Sequence, residues 1–252
     1  MSQQPIQYAV DLIRAARNIV ILTGAGVSKE SGVPTFREAM HGLWAKYDPQ
    51  QLATPYAFRA NPQLVWDWYE WRRGLVREAQ PNAGHIALAH LEHLHPGNVL
   101  TITQNVDDLH ERAGTHNIVH LHGNIAQNKC FEACQGEPTQ IDTIDLDDDG
   151  RPPHCPHCGG LVRPDVVWFG ESLPVQAINQ AIEASQFCDV MLVVGTSGLV
   201  NPAAQLPMLA AQNGATVIEI NPDTTPITPI ARVKLNGTSG DLLPQMIAVL
   251  EA

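Results

Sequence analysis

The chain has 252 residues, 44 % of them hydrophobic and 16 % charged, with a formal net charge of −11. This balance suits one globular unit, or one with an insertion, and excludes a disordered chain. The acidic excess argues against general nucleic-acid binding, and no apolar run is long enough to span a bilayer, so neither nucleic acid nor a membrane is an expected partner.

Residues 1–5 lack the basic start and apolar core of a signal peptide, which predicts a bacterial-type cytoplasmic location. Ile6, Val10 and Ile13 then share one helical face. The apolar run 18–22 reads as a buried strand. It feeds into Gly24-Ala25-Gly26-Val27-Ser28-Lys29-Glu30-Ser31-Gly32-Val33-Pro34-Thr35-Phe36-Arg37. A strand entering a Gly-rich turn is where α/β proteins place nucleotide phosphates, because backbone N–H groups approach with no side chain in the way. The dehydrogenase fingerprint would need glycine at position 29, where Lys29 stands. Behind the turn, Phe36 is placed to shield a sugar–base bond and Arg37 to hold the rest of the nucleotide.

Residues 38–84 are rich in Trp, Tyr and Arg and read as helices without a strand. The segment 61–78 is one helix, with Leu64, Trp68, Trp71 and Leu75 as its core stripe. Tyr69 and Arg72, spaced i, i+3, share a face turned roughly 100° away. An Arg beside a Tyr can fix a carboxylate through a forked, charge-assisted pair. The plainer reading is a surface Arg beside a half-buried Tyr. Next come a helical pattern at 85–93, a strand at 99–103, and the polar group Gln104, Asn105 and Asp107 at its end. Asn105 or Asp107 can equally cap a helix. A strand at 118–121 leads to His122 and Gly123. Among 11 histidines, His90, His93 and His95 read as helix-surface residues. His120 and His122 share a strand face, so spacing alone does not choose between them.

Residues 126–162 break the rhythm with prolines, an acidic run (Asp142, Asp145, Asp147, Asp148, Asp149) and four of the five cysteines. The run reads as a solvated loop or as a docking site for basic partners. Cys130-x3-Cys134 and Cys155-x2-Cys158, with 20 residues between the pairs, form the ligand set of a tetrahedral structural zinc. Two disulfides would suit a small secreted protein, and His154 and His157 lie beside the second pair. Cys188 reads as a buried thiol. Val166-Val167-Trp168-Phe169-Gly170-Glu171 is extended and apolar, either a core strand or a surface for an added one. A helix at 175–185, a strand at 190–194 ending in Gly195-Thr196-Ser197, and a strand at 216–220 ending in Asn221 complete the pattern. Strands alternating with helices predict a doubly wound α/β fold with a parallel sheet.

The Gly-rich turn, Thr103–His110, His120-Leu121-His122-Gly123-Asn124 and Gly195-Thr196-Ser197 occur in fixed order, and with them the chain resembles the sirtuins, NAD-dependent protein-lysine deacylases, from about residue 15 to residue 244. The resemblance implies a Rossmann-like large domain (1–37, 85–125, 163–252) and a small domain made of a helical part (38–84) and a zinc part (126–162). It implies NAD as co-substrate, one structural zinc, acylated-lysine proteins or peptides as partners, and a monomer. His122 becomes the general base, with Asn105 orienting ribose and water. Gly24, Ala25, Gly26, Ser28, Pro34, Phe36, Arg37, Gln104, Asp107, Gly195, Thr196, Ser197, Asn221, Asp223 and Ser239 become NAD contacts. Val166, Phe169 and Gly170 on one side and Gly198, Leu199 and Val200 on the other would sandwich the peptide. Tyr69 and Arg72 match the branch that removes succinyl, malonyl and glutaryl groups. The products would be free lysine, nicotinamide and O-acyl-ADP-ribose. A plain deacetylase, a mono-ADP-ribosyltransferase and a silent NAD or ADP-ribose sensor are the alternatives.

Overall fold

A computed structural model describes residues 3–39, 47–142 and 150–252. Of the acidic run only Asp142 lies inside those residues, and the side chains of Phe36 and Arg37 lie outside them.

The larger sheet has strands β1 (Asn18–Thr23), β2 (Asn98–Thr103), β3 (Ile118–His120), β7 (Val190–Val194), β8 (Thr216–Ile220) and β9 (Val233–Leu235). All neighbours are parallel, in the order β3-β2-β1-β7-β8-β9. Its central strands are apolar on both faces because helices cover both. On one face Ile19, Ile21, Leu192 and Ile218 pack with α1 (Gln3–Ala15), α6 (Ala83–Leu94) and α10 (Ser239–Glu251). On the other, Val20, Leu22, Met191, Val193 and Val217 pack with α8 (Val175–Phe187) and α9 (Leu206–Gln212). The chain leaves β1 toward β2 on one side and returns as β7 on the other. The ends of β1 and β7 therefore flank the switch point where open α/β sheets bind ligands.

A second sheet, in the order β5-β4-β6, is antiparallel and joins β4 (Gly123–Cys130), β5 (Gln140–Ile141) and β6 (Val162–Val166). Position 125, read as a domain boundary, falls inside β4. Helices α4 (Pro55–Ala60) and α5 (Pro62–Glu78) pack on this sheet in a core of their own, with Phe58, Val65, Trp68, Tyr69, Ile125 and Trp168. Asn61 caps α5, its side chain accepting from Leu64 N, and Pro62 supplies the fixed φ of a first helical position. Short helices α2 (Ala25–Lys29), α3 (Phe36–Ala39) and α7 (Leu109–Arg112) follow strand ends or loops. Among the described residues, no helix is long and apolar enough to cross a membrane.

Three expectations change. The core face of α5 is Val65, Trp68, Tyr69 and Val76; Trp71 is 37 % exposed. Tyr69 and Arg72 therefore lie on the inward side, not on a separate flank. His95 is buried, its Nε2 3.2 Å from Ile13 O and its Nδ1 accepting from Gly97 N, because the turn after α6 folds back over α1. The segment 166–171 leaves its strand at Val166, and Phe169 and Gly170 form a turn, Gly170 at φ +87°.

Candidate active site

A single cleft of about 1490 Å³ runs over the carboxyl ends of β1, β2 and β7 and along α5. Its floor is the Gly-rich turn. Gly26 N donates to Gly195 O at 2.8 Å, so the turns after β1 and β7 are laid against each other. A Cβ on Gly26 would stand 2.6 Å from Gly195 O, and one on Gly24 2.7 Å from Thr196 Cβ. Gly195 has φ +60°, the left-handed region that favours glycine. The glycines thus let two backbones close up under the cleft.

The polar walls are tied together. Gln104 Nε2 donates to Thr196 Oγ1 at 3.0 Å, and Asn221 Nδ2 donates to Thr196 O at 2.8 Å. Asp223 N donates to Asn221 Oδ1 at 3.0 Å. Asn105 Nδ2 donates to Ser28 Oγ at 2.9 Å. Asp107 is buried, and its carboxylate accepts from Leu109 N and from the Ser28 hydroxyl. It therefore opens the α7 turn and faces the cleft at once. Burial pushes its carboxyl above the usual range, against those hydrogen bonds. Ala25, Pro34, Ser197 and Ser239 also line the cleft.

The structure separates the two histidines that spacing left together. His122 lines the cleft, and its Nδ1 lies 2.8 Å from Gln104 O. Burial lowers its pKa, partly offset by that carbonyl. His120 sits behind, its Nε2 2.7 Å from Glu111 Oε1. Burial opposes charge there, but Glu111 overcomes it and raises the His120 pKa.

At the far end, Tyr69 and Arg72 line the cleft from α5. The Arg72 guanidinium lies 5.8 Å from the Tyr69 ring centroid and 5.0 Å from that of Trp68. Val166, Phe169 and Gly170 line one side of the mouth and Leu199 and Val200 the other. Phe169, Leu199 and Val200 are exposed. Gly198 does not line the cleft; it turns at φ +65° beneath it, where a Cβ would meet Ile227 at 2.9 Å.

Apart from the cleft, the Sγ atoms of Cys130, Cys134, Cys155 and Cys158 all lie within 4.8 Å of one another. Cys130–Cys158 is 3.6 Å and Cys134–Cys155 3.8 Å. Tetrahedral thiolates about 2.3 Å from zinc stand roughly 3.8 Å apart, so the four fit one closed structural site. None is in a disulfide. His154 is exposed and its Nδ1 faces Gly159 O at 2.9 Å, outside the set.

Several partners were not legible in the sequence. Glu30 of the Gly-rich turn accepts from Ser239 Oγ and from Gly240 N, 210 positions on. Trp168 Nε1 donates to Tyr69 OH at 2.8 Å. His85 and His110, fully buried beneath the cleft, stand 4.8 Å apart, and His110 Nε2 reaches Thr23 Oγ1. An acidic residue beside a Gly-rich turn was the only local signal for any of these.

The Sir2 family model matches residues 24–202. A protein of Aquifex aeolicus (strain VF5) named NAD-dependent protein deacylase is 56 % identical over 214 residues, covering 85 % of this chain and 87 % of that protein. A solved Sir2 homolog–NAD complex superposes with a TM-score of 0.89 at 44 % identity, covering 97 % of this chain and 93 % of the other. A Sir2–p53 peptide–NAD+ structure superposes at 0.83 with 30 % identity and covers 98 % of both chains.

Proposed function

The chain belongs to the Sir2 family and is an NAD-dependent protein deacylase acting on protein or peptide substrates; from there, we propose that it prefers acyl groups ending in a carboxylate, succinyl and malonyl above acetyl. The observation that carries this preference is the Arg72–Tyr69 pair at the inner end of the cleft. A guanidinium and a phenol together offer a carboxylate charge-assisted hydrogen bonds, which an acetyl methyl cannot accept.

In this reading NAD is cradled by Gly24, Ala25, Gly26 and Ser28 on one turn and Gly195, Thr196 and Ser197 on the other. Pro34, Phe36 and Arg37 follow the first turn, and Asn221, Asp223 and Ser239 form the adenosine end. NAD supplies an electrophilic ribose carbon with nicotinamide as its leaving group. Asp107 and Gln104 hold the nicotinamide end, and Asn105, anchored on Ser28, orients ribose and water. His122 accepts a ribose-hydroxyl proton at Nε2. The peptide lies as an extended strand between Val166, Phe169 and Gly170 on one side and Leu199 and Val200 on the other, with the turn at Gly198 beneath the second side. The zinc of Cys130, Cys134, Cys155 and Cys158 holds the second sheet and takes no part in the chemistry.

The same proposal divides the chain into a large unit (1–37, 85–125, 163–252) and a small one (38–84, 126–162). The cores on the two faces of the larger sheet support the large unit, while the core around α4 and α5 also draws in Leu109, Ile125, Val166 and Trp168. The same proposal takes the enzyme as a monomer.

The test is a panel of acyl-lysine peptides with NAD, read by mass spectrometry. Succinyl-lysine should exceed acetyl-lysine in kcat/KM by roughly 10- to 100-fold, the worth of a hydrogen bond to a charged group. Arg72→Met should collapse that ratio, and Tyr69→Phe should lower it less. Equal loss of both activities in Arg72→Met would make Arg72 a packing residue and end the acyl proposal.

A further inference from the structure

Tyr69 is fully buried yet lines the cleft, and two groups that can only donate lie beside it. One is the indole N–H of Trp168, at 2.8 Å. The other is the Arg72 guanidinium, 5.8 Å from the Tyr69 ring centroid, whose positive charge disfavours a further donor beside it. A phenol has two lone pairs and one hydrogen. Trp168 takes one lone pair and the neighbouring guanidinium charge disfavours a second donor at the other, which leaves the Tyr69 hydrogen to be given away. With the indole N–H fixed there, that hydrogen is donated to an acceptor in the cleft.

Trp168 is itself held firmly. Its ring packs at 5.4 Å from Phe58 and 6.4 Å from Phe131, and the Arg163 guanidinium lies over its face at 3.2 Å. Arg163 is paired with Glu171, and Glu171 Oε2 accepts from Trp168 N at 2.7 Å. Trp168 is thus clamped through both its backbone and its ring, and its N–H stays aimed at Tyr69.

We propose that Trp168 is a specificity-determining residue: its indole N–H locks the Tyr69 hydroxyl as a donor, so that the inner end of the cleft takes a carboxylate and rejects an equally sized carboxamide. This rests on the carboxylate preference proposed above and extends it to a residue outside the Tyr69–Arg72 pair. A carboxamide presents its own N–H₂ donors. A tyrosine free to turn accepts readily from them, but one already held by the Trp168 N–H beside a guanidinium accepts poorly.

The experiment compares kcat/KM for three peptides: succinyl-lysine, its terminal carboxamide isostere and acetyl-lysine. The proteins are the wild type and Trp168→Phe. A third protein carries 3-benzothienylalanine at 168, which keeps both rings and lacks the N–H. The wild type should favour succinyl over the carboxamide. Both N–H deletions should narrow that ratio by roughly 3- to 10-fold, the worth of one neutral hydrogen bond, mainly through KM. In a Tyr69→Phe background the same deletions should leave the ratio unchanged. An unchanged ratio in the benzothienyl protein would overturn the inference, as would equal losses on all three peptides. A wild type that does not prefer succinyl over acetyl would instead overturn the carboxylate preference itself. If Trp168→Phe does not fold, the benzothienyl protein alone decides.

Discussion

His122 Nδ1 stands 2.8 Å from the carbonyl oxygen of Gln104. A carbonyl only accepts, so Nδ1 of the neutral ring carries the hydrogen and Nε2 keeps its lone pair. The backbone after β2 thereby sets the tautomer a general base needs. Burial also pulls the His122 pKa below its ordinary 6.5, the carbonyl offsetting part of the fall. A base is active when unprotonated, so activity should hold as pH falls through 6.5 and decline only below it. The check is the acid limb of kcat/KM against pH with a saturating NAD supply. A midpoint at or above 7 would contradict it.

His122→Ala should lower deacylation by roughly 10²–10⁴-fold, the usual contribution of a general base. NAD affinity, read by calorimetry, should change little, because the glycine turns and Asn221 remain. Asn105→Ala should also be severe, since it releases the Ser28 anchor as well as the ribose. Less than about a tenfold loss in His122→Ala would give the base role to another residue.

Zinc should be present at one ion per chain. Four thiolates drawn from a hairpin-like turn after β4 and a turn before β6 have few other means of staying together, and metal-binding energy is folding energy in such a site. Cys155→Ser, or strong chelation, should unfold the region around the second sheet before the larger one. Elemental analysis and limited proteolysis read this out. Purified protein without zinc, or a Cys155→Ser variant of full stability, would contradict it.

Gly26→Ala is the sharpest probe of the nucleotide turn. Its new Cβ would lie 2.6 Å from Gly195 O, a backbone atom with no rotamer to move. The two turns must part, so NAD binding should weaken by at least about tenfold, with a small loss of stability. Gly32→Ala is the control for the loss of glycine alone. Its Cβ would meet nothing within 4 Å, although its φ of +84° carries a modest strain.

His85 and His110 make stability depend on pH. Burial pushes His85 down to about 4 and, with His85 as a charged neighbour, His110 down to about 3. Both pKa values are lower in the folded state, so below about 6.5 the unfolded chain binds more protons than the folded one. The stability they allow is complete above 6.5 and falls with pH until about 4 and about 3. The slope is roughly a kcal/mol per histidine per pH unit. Urea unfolding at pH 7 and pH 5 should differ accordingly, and His110→Gln should flatten the difference. Equal stability at both values would show the pair to be accessible to protons.

Much of this protein was legible in the chain itself, because its key groups sit where local rules place them. A buried, β-branched strand followed by Gly24 and Gly26 has few conformations open to it. Gln104, His122, Thr196 and Asn221 all stand just past such strands, so one parallel sheet brings them to one edge. The cysteine spacing likewise limits where four thiolates can meet. The face of α5 was different. With Leu64, Trp68, Trp71 and Leu75 on one stripe and Val65, Trp68, Tyr69 and Val76 on the next, a period of 3.6 residues admits two apolar faces. Only docking against the second sheet chose the face that buries Tyr69 and leaves Trp71 toward solvent. The partners of Glu30 and Tyr69 belong to that level too. Ser239 is 209 residues from Glu30 and Trp168 is 99 from Tyr69. No local propensity links such distant groups; they meet because the packed layers leave each donor one acceptor within reach.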